Sequence, residues 1–170
     1  MPAYIHLITG GQRSGKSRYA QNLALDASNR PLYLATAKVW DDDFQKRVDR
    51  HKQDRDHRWE NIEEEVNIQS VDRRNKVVVI DCITLWLTNL FVKNDMNTDQ
   101  ALKEAKLIWE QFISEEFKVF VVSNEIGMGV HAESEAGRKF TDLQGWMNQF
   151  IAKSANRVTL MVSGLPLRVK

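Results

Sequence analysis

Gly10, Gly11, Gln12, Arg13, Ser14, Gly15, Lys16 and Ser17 fill every fixed position of the phosphate-loop pattern G-x-x-x-x-G-K-[ST]. Each part has a physical task. Gly10 and Gly15 permit backbone turns that a Cβ resists, so successive N–H groups can converge on phosphate oxygens. The N-terminus of a following helix adds partial positive charge at the same spot. Lys16 can reach the β- and γ-phosphates, and the Ser17 hydroxyl can ligate Mg²⁺. The loop lies between a strand-like run, Tyr4–Thr9, and a helix-like one, Arg18–Ala27. A nucleoside triphosphate is the expected ligand.

Other residues have chemistry to offer. Asp81 closes the β-branched run Val77–Ile80, the Walker-B position, where a carboxylate can hold Mg²⁺ opposite Ser17. The alternative is an N-cap for a helix over Thr84–Leu90; the metal role is favoured because a phosphate loop implies a metal. Ser123, Asn124 and Glu125 follow a further strand. Glu125 could orient or deprotonate an attacking hydroxyl, or simply be a solvated loop residue. His51 shares a helical face with Phe44 and Val48, which suits a half-buried imidazole as well as a reactive one. Arg47, Arg50, Lys52 and Arg55 around it fit either a solvated face or a triphosphate-binding cluster. His6, His57 and His131 complete no metal-site spacing, so zinc is not expected.

These groups need a scaffold, and the pattern supplies one. Strand-like Tyr4–Thr9, Pro31–Thr36, Val77–Ile80, Lys118–Ser123, Val158–Val162 and Leu165–Val169 alternate with helix-like stretches from Asp41 to about Arg55, Asp99 to about Glu116 and Ala136 to about Ala155. The alternation predicts an α/β fold with a mostly parallel central sheet flanked by helices. In such sheets ligands sit at the carboxyl ends of the strands, where Thr36, Asp81, Ser123 and Asn124 fall.

Composition narrows the classes. A chain of 170 residues, 42% hydrophobic, fits one domain spanning 1–170 with a sizeable core. A net charge of +1 argues against a nucleic-acid footprint. No apolar run approaches the ~20 residues of a membrane span, and no signal-peptide pattern precedes the first strand. Cys82 is the only cysteine. It excludes an internal disulfide, fits a cytoplasmic location and reads as a small core residue.

Six blocks in order carry a resemblance. They are the phosphate loop, Tyr33–Ala37, Arg47–Arg55, Asp81–Leu90, Ser123–Gly129 and Gly164–Lys170. With them the chain resembles the bifunctional adenosylcobinamide kinase and adenosylcobinamide-phosphate guanylyltransferase family of cobalamin biosynthesis, from the first strand to the last residue. The resemblance implies a P-loop NTPase fold of RecA-like type. It also implies two reactions: phosphorylation of the aminopropanol hydroxyl of a corrinoid by ATP or GTP, then transfer of GMP from GTP through a guanylylated histidine. The family's R-[IV]-x-x-H-[KR] block places that histidine at His51. Ala35, Thr36, Ala37, Lys52, Gln53, Asp54, Glu63 and Asp81 are implied as nucleotide contacts, with Glu63 a candidate guanine reader, and the family suggests a homotrimer. Two departures stand out: Asp56 follows Arg55 where members often have Pro, and Arg50 occupies a position where some relatives carry a second histidine. The five tryptophans, Trp40, Trp59, Trp86, Trp109 and Trp146, could line a corrin site or serve core and subunit contacts. Two rivals remain: a single-function small-molecule kinase, and a RecA-like protein that uses nucleotide to gate an interaction.

Overall fold

The computed structural model describes residues 2–38, 42, 45, 46, 49, 53 and 55–170. His51, Lys52 and Asp54 therefore lie outside the described residues. Of the helix expected from Asp41 to about Arg55, the described Asp42, Gln45, Lys46, Asp49 and Gln53 are helical and Arg55 is not.

Seven strands form one sheet: β1 (Tyr4–Gly10), β2 (Leu32–Ala35), β3 (Glu60–Glu63), β4 (Val77–Asp81), β5 (Lys118–Val122), β6 (Arg157–Val162) and β7 (Leu165–Arg168). Their spatial order is β3-β2-β4-β5-β1-β6-β7. Every pair is parallel except β6 with β7, an antiparallel hairpin at one edge. Among the described residues four α-helices flank the sheet: α1 (Lys16–Ala27), α2 (Ile83–Lys93), α3 (Thr98–Phe112) and α4 (Glu135–Ser154). None of them is long and apolar enough to cross a membrane.

The β-branched run in β4 is buried on both faces, as parallel strands with helices on each side require. Val78 and Ile80 join the larger core with α2, α3 and α4, which holds Trp86, Trp109 and Phe112. Val79 points the other way, into a smaller core closed by Ala20 and Ala24 of α1. Alanines let α1 lie close to the sheet, and its first turn is thereby fixed over the strand ends. Ser134 and Asn97 cap α4 and α3 by accepting from Gly137 N and Gln100 N, each at 3.0 Å.

The sequence pattern did not predict β3. Its residues, Glu60, Asn61, Ile62 and Glu63, are mostly polar and alternate between half-buried and exposed. It is an edge strand held by its ladder with β2 rather than by burial, so hydrophobic periodicity carries little trace of it.

His6, on β1, bonds Thr159 Oγ1 at 2.8 Å across to β6 and packs against the Phe120 ring. Burial, followed by the nearby Arg157 charge, lowers its pKa from 6.5 to about 4. The folded chain thus prefers neutral His6, while the unfolded chain takes up a proton below pH 6.5. The stabilisation is complete above pH 6.5 and declines as pH falls toward 4, by as much as about 3 kcal/mol. His6→Gln keeps a polar partner for Thr159 without titrating. Urea unfolding at pH 7 and pH 4.5 should show a smaller acid loss for His6→Gln than for the parent chain; equal losses would contradict this account of His6.

Candidate active site

β1 delivers the chain into the phosphate loop through two backbone conformations that need glycine. Gly10 has φ 148°, and a Cβ there would meet Met161 O at 2.7 Å. Gly15 has φ 93° and directly precedes Lys16, the first residue of α1. The loop is tied to its neighbours on both sides. Glu125 N donates to Gly10 O at 2.9 Å, and Gly164 N donates to Ser14 O at 3.0 Å. The Lys16 ammonium folds back over the loop, donating to Gly11 O at 2.5 Å and approaching Ser14 Oγ at 3.5 Å. Burial lowers its pKa, and the neighbouring Cys82 and Asp81 side chains oppose that shift.

The sheet register then aligns the other groups. Glu63, Ala35, Asp81, Val122 and Ile8 stand level across β3, β2, β4, β5 and β1, at the carboxyl edge just below the loop. At strand spacings near 4.8 Å, Asp81 is about 10 Å from β1 and Glu63 about 19 Å. Asp81 can therefore share a metal-bound phosphate with the loop; Glu63 can meet only a more distant part of a nucleotide.

The Asp81 carboxylate accepts from Tyr33 Oη at 2.7 Å. It does not cap α2: the N-cap position is Cys82, with no side-chain cap bond. The capping alternative therefore fails. Tyr33 itself is sandwiched, with the Arg55 guanidinium 3.7 Å from its ring centroid on one side and Trp59 edge-on at 5.7 Å. Burial first, then the Asp81 charge, raises the Tyr33 pKa well above 10, so it stays a donor. Tyr33 was not among the expected site residues, although an aromatic hydroxyl on the strand beside Asp81 was the available signal.

Thr36, one of the nucleotide contacts the resemblance implied, makes a set of bonds within the protein. It is fully buried. Its hydroxyl donates to Cys82 O at 2.7 Å and accepts from Cys82 N at 2.9 Å, while its own carbonyl accepts from Asn89 Nδ2. Thr36 thus clamps the peptide next to Asp81. Ala37 follows it, half-buried, and Gln53 is exposed. Cys82 is buried, and burial followed by Asp81 pushes its thiol up to about 12, so it remains a neutral packing group.

A cavity of about 1080 Å³ opens over the loop. Arg13, Lys16, Arg18 and Arg58 line it, against the carboxylates Asp56 and Asp81. The balance is cationic, as a triphosphate requires. Asn124 also lines this cavity. Its backbone is held at both ends, N by Thr84 Oγ1 and O by Asn148 Nδ2, each at 3.0 Å. Behind it, Ser123 Oγ donates to Asn148 Oδ1 at 2.6 Å and accepts from Gln144 Nε2. Glu125 is turned elsewhere, accepting from Gly127 N at 2.7 Å. Of the Ser123–Glu125 cluster, Asn124 is the one that faces the phosphate loop.

Against this geometry stand three relatives and one family model. The model for cobinamide kinase / cobinamide phosphate guanyltransferase matches residues 6–169. The chain belongs to that family. A bifunctional adenosylcobalamin biosynthesis protein CobP of Pseudomonas aeruginosa is 37% identical over 96% of both chains. Bifunctional adenosylcobalamin biosynthesis proteins CobU of Escherichia coli and Salmonella typhimurium are 36% and 34% identical, each over 96% of this chain and 98% of their own.

For a member of the cobinamide kinase family, the donor set suits Mg²⁺. Ser17 and Asp81 line one cavity and offer hard oxygens. Among the described residues no group of three or more His, Cys, Asp or Glu gathers to hold a metal. A cation that keeps most of its waters and takes phosphate oxygens fits two such donors.

Thr36→Val removes both bonds to Cys82 while keeping the shape. Cys82 N is then left unpartnered, while Cys82 O keeps its bond from Trp86 N, so stability should fall on the order of 1–3 kcal/mol. It should also reduce turnover more than nucleotide affinity, because Lys16 is untouched. Urea unfolding and steady-state kinetics measure both; wild-type turnover would show that the clamp does not set Asp81.

Proposed function

We propose that the chain works as a single domain that phosphorylates the aminopropanol hydroxyl of adenosylcobinamide and then caps the phosphate with GMP. The observation that carries the first step is the buried Lys16 ammonium facing a cationic cavity beside Asp81. Lys16, the N–H groups of Gly11–Ser17 and Arg13 would hold the β- and γ-phosphates of ATP or GTP. Ser17 and Asp81, the latter oriented by Tyr33, would hold Mg²⁺, which offsets the phosphate charge. The acceptor hydroxyl attacks the γ-phosphorus in line, the bond to the β-phosphate oxygen breaks, and the hydroxyl proton leaves to a nearby base. Asn124, which lines the cavity, would orient that hydroxyl; Glu125, one residue on, would have to turn from its bond with Gly127 N to act as the base.

For the second step, the neutral imidazole of His51 attacks the α-phosphorus of GTP. An N–P bond forms, the bond to the β-phosphate oxygen breaks, and pyrophosphate departs. A phosphate oxygen of the corrinoid then displaces the imidazole and yields adenosylcobinamide-GDP. The family block supports His51, and Arg55 at the end of that block stacks on Tyr33, the residue that donates to Asp81. Lys52, Gln53, Asp54 and Glu63 would contact this nucleotide, with Glu63 at the far edge suited to its base. A homotrimer in the cytoplasm belongs to the same reading, with neighbouring subunits closing each site.

Two variants separate the steps. Lys16→Ala should weaken nucleotide binding by about 1.5–3 kcal/mol and abolish phosphorylation. His51→Asn should abolish GMP transfer while phosphorylation survives at least in part. Separate assays for cobinamide phosphate and cobinamide-GDP decide the matter. Parallel loss of both activities in His51→Asn, with the fold intact, would overturn the division of labour.

A further inference from the structure

The chain has a second cavity, of about 500 Å³, between the loop after Glu125 and the outer face of α4. Its lining differs in kind from that of the nucleotide cavity. Ile126, Val130 and Trp146 supply apolar surface, while His131, Asp142 and Gln149 supply polar atoms around it. The size lies within the range of small-molecule pockets.

The cavity is built rather than incidental. At its start the loop is held by Glu125, through the bonds to Gly10 O and Gly127 N. At its end Arg138 donates to Ala132 O at 3.0 Å and Glu133 O at 2.7 Å. Between these ties Met128 and Val130 stand 80% and 97% exposed, and Trp146 on α4 is 45% exposed. Trp59, Trp86 and Trp109 are buried, so among the described tryptophans Trp146 is the one that offers a face to solvent. Gly145, beside it, sits inside a helix, where glycine is about 1 kcal/mol less favourable than alanine. A Cβ there would meet nothing within 4 Å. Packing does not require that glycine, whereas a flat ligand lying on the helix would.

Position identifies the occupant. Asn124 lines the nucleotide cavity and Ile126 the second one, so their Cα atoms are no more than about 7 Å apart. A molecule seated here reaches the phosphate loop with a short arm. We propose that this cavity seats the corrin macrocycle of the acceptor, an assignment that rests on the corrinoid kinase function proposed for the chain. The macrocycle lies against Trp146 and the open surface at Gly145. Its peripheral carboxamides meet the polar rim, and its aminopropanol arm extends past Ile126 to Asn124. The cavity holds part of the ring and leaves the rest in water.

Trp146→Ala removes the aromatic face, and Gly145→Leu fills the space above it while improving helix propensity. Neither touches the nucleotide cavity. Cobinamide binding, followed by its visible absorbance in equilibrium dialysis, should weaken at least about tenfold in both variants. The KM for cobinamide should rise in parallel, while GMP-adduct formation from GTP stays at the wild-type rate. Wild-type cobinamide affinity in both variants would overturn the assignment. So would a change of oligomeric state by sedimentation, which would mark the cavity as a contact between copies of this chain. Failure of the underlying function would look different: wild-type protein that binds cobinamide neither phosphorylates it nor forms a GMP adduct.

Discussion

A buried ammonium without a carboxylate partner organises the carboxyl edge of this sheet. Lys16 is 7% exposed and, among the described residues, bonds only to Gly11 O and Ser14 Oγ. Removing a cation from water without pairing it is unfavourable, and an incoming phosphate offsets that deficit. The surroundings follow from this constraint. Gly10 and Gly15 shape the loop, Glu125 N and Gly164 N fix it between β5 and the β6–β7 turn, and the alanine face of α1 sets the height of its first turn. Asp81 stands two strands from β1, close enough to reach a phosphate-bound cation, and its charge opposes only part of the burial effect on Lys16.

Around Asp81 the structure adds a layer of orientation. Tyr33 directs the carboxylate, Thr36 clamps the next peptide, and Asn89 holds Thr36. Arg55 stacks on Tyr33 from the segment that carries His51. On the proposed roles, one aromatic ring would link the two half-reactions: Tyr33, which donates to Asp81, also stacks with Arg55 at the end of the block that carries His51.

Much of this was legible in the sequence. The phosphate loop was, because each of its functions needs a particular residue type at a fixed spacing. The β4 run was, because burial on both faces leaves a continuous apolar signature. The strand β3 was not, since an edge strand of Glu60, Asn61, Ile62 and Glu63 is held by backbone bonds that any residue can make. The position of Thr36 at the edge was predicted, while its role as a clamp depended on the path of residues 81–82, which no local pattern encodes. Asn124 and Glu125 could not be ranked from sequence, because which of them faces the loop depends on the contacts of Thr84 and Asn148. His51 owes its assignment to the family block, since its spacing on a helical face fits a structural imidazole equally well.

The central claim is that one chain combines direct phosphoryl transfer with covalent nucleotidyl transfer. The most direct measurement is peptide mapping of wild-type protein after incubation with GTP labelled at the α-phosphate. The account predicts one labelled peptide containing His51, with stoichiometric release of pyrophosphate and a bond that is labile in acid and stable in base, as a phosphoramidate is. Label on another residue, or no covalent label while phosphorylation of cobinamide proceeds, would contradict it.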